Sequence, residues 1–200
     1  MHLPQPAAHG HGCIGCLLGY TLIADEMKDP QIKGLIEKIG YQEGLPVVTN
    51  PGVLNPEDFI KEVLEQRLTN GNLPDTPQRI ASDTSQKVGI RFGETIKAYG
   101  DKAKDLKYIP LAIAGWCRYL LAVDDEGKHF ELSPDPLLKD LQAALEGITF
   151  GNPDSVKGKL KSILANKDSL AATSMKSAWA KKLKATLMNS LPVLMPFGIR

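Results

Sequence analysis

Two hundred residues carry 24 Lys and Arg against 23 Asp and Glu, a formal charge of +1 that excludes a polybasic nucleic-acid binder and an acidic solvating tail. A hydrophobic share of 42% is too rich for disorder and suits one domain, or two small ones, with a buried core. Three cysteines cannot all pair, which points to a reducing, cytoplasmic setting, and no apolar run approaches the roughly 20 residues of a membrane span.

In chain order the apolar spacing reads helical. The opening MHLPQPAAHGHG lacks the cationic start and apolar stretch of a secretory signal. Leu17 to Met27 is expected to be a helix closed by Asp29-Pro30, and Ile32, Leu35, Ile36 and Ile39 mark a second one ended by Gly40. A loop with Pro46, Pro51 and Gly52 leads to Asn55-Pro56-Glu57-Asp58, a helix start with a capping side chain, Pro in the first turn and acids beside it. That helix carries Phe59, Val63, Leu64 and Leu68 and stops near Asn70-Gly71-Asn72. From Gln78 toward Ala98 one long helix is expected, kinked near Gly89 or Gly93. Ile109 to Leu121 is the most apolar segment and reads as a buried core helix, with Pro110 at its start. Asp124 to Gly127 is a turn, His129 to Leu132 a short extended piece, and further helices follow Pro136, Asn152-Pro153-Asp154 and Thr173. Period-two alternation is scarce, so the fold class is all-α, with at least seven helices.

Three features bear on chemistry. Gly10-His11-Gly12-Cys13-Ile14-Gly15 has the spacing of a dinucleotide fingerprint, but no strand precedes it and no βαβ unit follows, so the match reads as coincidence. His9, His11, Cys13 and Cys16 are soft-metal ligand types, yet no knuckle with separated ligand pairs surrounds them, and no metal is expected. On one helix Arg79, Asp83 and Lys87, at i, i+4 and i+8, share a face. They form either a solvated salt-bridge stripe or a row of fixed charges for hydroxyls or a carboxylate, and composition favours the stripe. The lysines between Lys157 and Lys184 alternate with apolar residues and read as the solvated faces of packed helices, not a membrane or nucleic-acid surface.

The segments Leu18-Gly19-Tyr20, Ala24-Asp25-Glu26-Met27-Lys28-Asp29-Pro30, Pro77 through Lys87, Leu111 through Leu120 and Asp135-Pro136 occur in an order that resembles the C-terminal domain of the mannitol dehydrogenase family. The resemblance covers about residues 15 to 140 and continues more loosely to the end. It implies a helical domain that completes the substrate site beside a Rossmann-type NAD(P) domain. It also implies hydride transfer at a carbinol carbon of an open-chain polyol or hexuronate, with a Lys as acid/base and an Asn-x-x-His segment on the reacting oxygen. The family's Arg and Lys eight residues apart match Arg79 and Lys87, which turns the charged stripe, with Asp83 between them, into a substrate-binding set.

The nucleotide domain and the catalytic Lys are not in this sequence, and the family's Asn and His fall at Gln5 and Ala8. Codons can be chosen for residues 1–14 such that a reading shifted by one nucleotide gives Cys-Thr-Cys-Leu-Asn-Pro-Leu-His-Thr-Ala-Met-Ala-Val, with Asn-x-x-His in register. Residues 1–14 are therefore expected to be an aberrant, out-of-frame segment with few core contacts, and 15–200 the helical domain. No catalytic residue and no bound NAD or NADP is expected on this chain, which by itself should be inactive and prone to pair with a second copy through surface meant for the missing domain. The alternative is a non-enzymatic helical binding module.

Overall fold

The computed structural model describes residues 11–49, 52, 54–149, 152–156, 159 and 163. Their secondary structure is helical, and among the described residues the β-type pairing is a single isolated bridge between Val123 and His129. The α-helices are α1 (Gly12–Leu17), α2 (Ile23–Glu26), α3 (Pro30–Glu37), α4 (Pro56–Glu62), α5 (Pro77–Ala81), α6 (Thr84–Val88), α7 (Glu94–Tyr99), α8 (Tyr108–Tyr119) and α9 (Leu138–Ala144). Wider π-helical turns extend α3 over Lys38–Gly44 and α4 over Val63–Arg67, and join α6 to α7 over Gly89–Gly93.

Local chemistry explains the starts. Asp29 accepts from Gln31 N at 2.8 Å and Ile32 N at 3.3 Å, Asn55 from Glu57 N at 2.9 Å, and Thr76 from Arg79 N at 3.2 Å. Each is followed by Pro in the first helical turn, where its missing N–H costs nothing. The start of α8 is capped from a distance. The buried Glu43 carboxylate accepts from the backbone N–H of Lys107 at 2.5 Å, Tyr108 at 3.0 Å and Ile109 at 2.7 Å, three donors that an α-helix leaves unpaired.

The centre of the core is α8. Ile109, Ala112, Ile113, Ala114, Trp116, Cys117 and Tyr119 are buried in it, as the apolar run predicts. Arg118 is buried in the same helix. Its guanidinium donates to Val123 O and, at 3.0 Å, to Asp124 O, and lies 3.5 Å from the Asp125 carboxylate. A buried arginine thus ties down the turn that the sequence places at 124–127.

Several expectations need correction. First, residues 11–14 are core and not loosely attached: His11, Cys13 and Ile14 are buried with Cys16 and Leu17 on α1. Whatever reading frame supplied them, Cys13, Ile14, Cys16 and Leu17 give a short helix its apolar surface. Residues 1–10 lie outside the described residues. Second, the helix expected from Leu17 to Met27 is two pieces, separated at Gly19, whose φ of +76° suits glycine. The next helix passes through Gly40 because Ile39 and Gly40 are buried and packing outweighs glycine's low propensity. Third, the helix expected over 78–98 is interrupted at Ser82-Asp83. The helix expected after Thr173, and all of the lysine-rich stretch but positions 159 and 163, lie outside the described residues.

Candidate functional site

The interruption decides how the three charged residues stand. Ser82 has extended backbone (φ −61°, ψ 142°) and Asp83 is left-handed (φ 53°, ψ 27°), so Arg79 belongs to α5 and Lys87 to α6. Arg79, Asp83 and Lys87 therefore do not share one face of a continuous helix, and the expected i, i+4, i+8 stripe does not form. Side chains and a distant loop hold the junction instead.

Backbone groups freed by the break are satisfied by side chains and by a segment fifty residues away. Thr84 Oγ1 donates to Ala81 O at 2.6 Å, Lys87 Nζ to Ser82 O at 2.5 Å, and Ser133 Oγ to Gln78 O at 2.7 Å. On the donor side, Asp83 N bonds Pro134 O at 2.9 Å and Ser85 N bonds Asp135 Oδ2 at 2.8 Å, with Ser85 Oγ on Asp135 Oδ1 at 2.5 Å. Ser133 is itself held by Tyr119 of α8: its N–H donates to the Tyr119 oxygen at 2.7 Å, and that hydroxyl donates to Ser133 Oγ at 2.9 Å. Lys87 thus turns its ammonium back to the C-terminal end of α5, the helix that carries Arg79, where the helix dipole favours a cation.

Arg79 is largely exposed and forked onto Asp75, its Nε and one terminal nitrogen each donating to a carboxylate oxygen. The guanidinium holds the Asp75 carboxyl below its usual range, and Asp75 in turn raises Arg79. This is the planar two-bond recognition that a carboxylate ligand would receive from the same arginine. Asp83 is exposed, and its carboxylate makes no hydrogen bond or ion pair among the described residues. The Asp75–Arg79 pair is legible as an i, i+4 spacing; Asp135 is visible in the sequence only as part of the resemblance, with no role attached, and no signal marks Ser133 or Pro134.

The glycine-rich motif is occupied by packing. A Cβ on Gly12 would lie 2.8 Å from Ile80 Cγ2 and 3.1 Å from Pro77 O, and one on Gly15 would lie 2.5 Å from Glu26 Oε2 and 3.0 Å from Pro77 Cγ. The two glycines let α1 cross α5 closely, and no cradle for a pyrophosphate is left there; Gly10 lies outside the described residues. Beside them His11 Nδ1 faces the Glu26 carboxylate at 3.3 Å, both side chains fully buried, and burial raises the Glu26 carboxyl above the usual glutamate range. Cys13, Cys16 and Cys117 are buried free thiols; burial pushes Cys16 and Cys117 up to about 12 and Cys13 well above its ordinary value. Among the described residues no three His, Cys, Asp or Glu side chains are grouped to hold a metal ion, and His9 lies outside them. No helix among them is long and apolar enough to cross a membrane.

Comparison with known proteins agrees with this architecture. A D-mannonate oxidoreductase of Thermotoga maritima is 58% identical over 156 residues, which cover 76% of this chain and 29% of that protein. A mannitol dehydrogenase 2 of Saccharomyces cerevisiae is 36% identical over 135 residues, 66% of this chain and 26% of that protein. The chain thus spans less than a third of the length of these relatives. Among solved structures, mannitol 2-dehydrogenase of Pseudomonas fluorescens, in a ternary complex with NAD and D-mannitol, superposes with a TM-score of 0.81 at 20% identity, covering 99% of this chain and 38% of that one. The family described as mannitol dehydrogenase C-terminal domain matches residues 8–186, a span that begins inside the suspect first segment. From the helical architecture, the sequence identities and this match together, the chain belongs to the mannitol dehydrogenase family and carries its C-terminal domain.

Proposed function

We propose that the chain is the substrate-recognising helical part of an NAD(P)-dependent oxidoreductase acting on a secondary alcohol of an open-chain sugar acid, with D-mannonate as the preferred ligand. The observation that carries this reading is the 58% identity to the Thermotoga maritima D-mannonate oxidoreductase. Arg79 supplies a fork for the acid's carboxylate in exchange for Asp75, Lys87 a point charge for carboxylate or hydroxyl, and Asp83 an acceptor for a hydroxyl proton. The described residues do not fit a dinucleotide, since the glycine motif is filled by α5, so hydride chemistry belongs to parts of the relatives that this chain does not span.

The same reading keeps residues 1–14 as an out-of-frame stretch and the chain as a cytoplasmic protein that self-associates. Sequencing the coding DNA with its flank tests the frame: a one-nucleotide shift should open an Asn-x-x-His reading continuous with a nucleotide-binding domain. A second reading, a module that grips an anion without chemistry, is favoured by Gln5 and Ala8 standing where the family has Asn and His.

Substrate recognition is tested by titrating the chain with D-mannonate and with D-mannitol and following backbone amides by NMR, which reads millimolar affinities. Shifts centred on residues 76–88, stronger for the acid, are expected, with Arg79→Ala weakening D-mannonate at least tenfold. Equal response to both ligands, or an unaffected Arg79→Ala, refutes the assignment.

A further inference from the structure

We infer that Asp135, acting through Ser85 and the adjoining Ser133-Pro134 segment, is a positioning residue that sets Arg79 and Lys87 for ligand binding. This rests on the substrate-recognising reading above. In an unbroken helix these two residues would be separated by about 12 Å of rise and fixed by the helix itself. Here Arg79 sits on a five-residue helix, too short to be stable on its own in water, and Lys87 sits in the first turn of the helical run that continues through Gly89–Gly93 into α7. Their mutual orientation is set by what holds the junction.

That holding comes from outside both helices. Asp135 receives Ser85 N on Oδ2, and on Oδ1 it receives Ser85 Oγ and its own loop's Leu137 N at 2.9 Å. The carboxylate therefore caps the first turn of α6 and closes its own turn with the same oxygens. Pro134 O takes Asp83 N, and Ser133 Oγ donates to Gln78 O, so three successive residues of one loop grip both sides of the break. Asp83 adopts a left-handed conformation that non-glycine residues enter at a cost, and a residue held there signals an over-determined junction. Lys87 Nζ donates across the same break to Ser82 O.

The consequence is that the placement of Arg79 and Lys87 depends on a carboxylate that hydrogen-bonds neither of them. Tyr119 links this loop to α8 through Ser133, so the clamp is anchored in the centre of the core.

The test is D-mannonate titration of the full chain carrying Asp135→Ala or Asp135→Asn, with Glu43→Gln as a control that weakens a different helix cap. Asp135→Ala should weaken D-mannonate at least tenfold and shift the Asp83 amide out of its left-handed signature. Asp135→Asn, which leaves one acceptor oxygen where Asp135 uses two, should fall between it and wild type. Glu43→Gln should lower Tm and leave affinity within twofold of wild type. If Asp135→Ala does not fold, Asp135→Asn decides the matter, with a loss of threefold or more expected. Wild-type affinity retained in the Asp135 variants overturns the positioning role, as does an equal loss in Glu43→Gln, which would make the effect one of overall stability. A wild-type chain that does not bind D-mannonate refutes the substrate-recognising reading itself, and this role with it.

Discussion

Gly12 and Gly34 both lie in helices, yet an added methyl group meets opposite surroundings. At Gly12 it would press on Ile80 and on Pro77 O, whereas at Gly34 nothing lies within 4 Å. Overpacking of this kind costs about 1–3 kcal/mol, and the gain in helix propensity is small at a first helical position, so Gly12→Ala should destabilise the chain. Gly34→Ala, inside α3, should stabilise it by about 0.5–1 kcal/mol. Urea unfolding of the two variants checks both signs. The buried Glu26 makes stability depend on pH in the direction opposite to an exposed, paired carboxylate. Its folded carboxyl holds a proton to higher pH than the unfolded one, so the unfolded chain ionises first and stability falls as pH rises through and above the ordinary glutamate range. Asp75, held low by Arg79, contributes with the other sign: its stabilisation is present above the unfolded carboxyl range and is lost as pH falls through the folded value, lessened by its partner's exposure. Glu26→Gln should flatten the decline on the high side of the glutamate range in thermal melts taken across pH, leaving the acid limb in place.

Among the elements, those with strong local signals match the sequence. The Asn55-Pro56 start, the Asp29-Pro30 start and the buried run that becomes α8 are each written in adjacent residues, and the glycines at 89 and 93 bound a π-helical turn. The interruption at Ser82-Asp83 is not, because nothing in Ala81-Ser82-Asp83-Thr84 forbids a helix; loop 133–135 imposes it from fifty residues away. For the same reason the spacing of the charges suggests a stripe that the fold does not form. Arg79 and Lys87 are identifiable by resemblance, but their placement depends on Asp135, whose role no local spacing encodes. The Glu43 cap on α8 is equally invisible, since a Glu in a polar turn carries no mark of the helix it will serve.

For the whole molecule, the proposed reading places recognition on this chain and hydride chemistry on parts of the Thermotoga maritima relative outside the 29% that it matches. Hydride transfer requires the carrier's reacting carbon held against the substrate carbon, and proximity of that kind accounts for many orders of magnitude in rate. The chain mixed with NAD or NADP and D-mannonate, D-mannitol, fructuronate or tagaturonate should therefore give no change in absorbance at the reduced-nicotinamide band. Turnover traced to this chain alone would contradict the reading. The all-α class is legible from apolar spacing, and the family from ordered motifs, because both are distributed along the chain. The core role of residues 11–14 is not, because a suspected frame error says nothing about whether the resulting side chains can pack.

The distant cap on α8 also governs how the molecule opens. Glu43 and the amides it serves are 64 to 66 residues apart, and closing a loop of that length costs about 4 kcal/mol of chain entropy. The first turn of α8 therefore shares its fate with the Lys38–Gly44 turn and does not fray on its own. In hydrogen exchange the amides of Lys107, Tyr108 and Ile109 should slow together and release together, as part of one cooperative unit that includes residues 38–44. Glu43→Gln should speed those three amides selectively, detaching the start of the most buried helix from the segment that locks it.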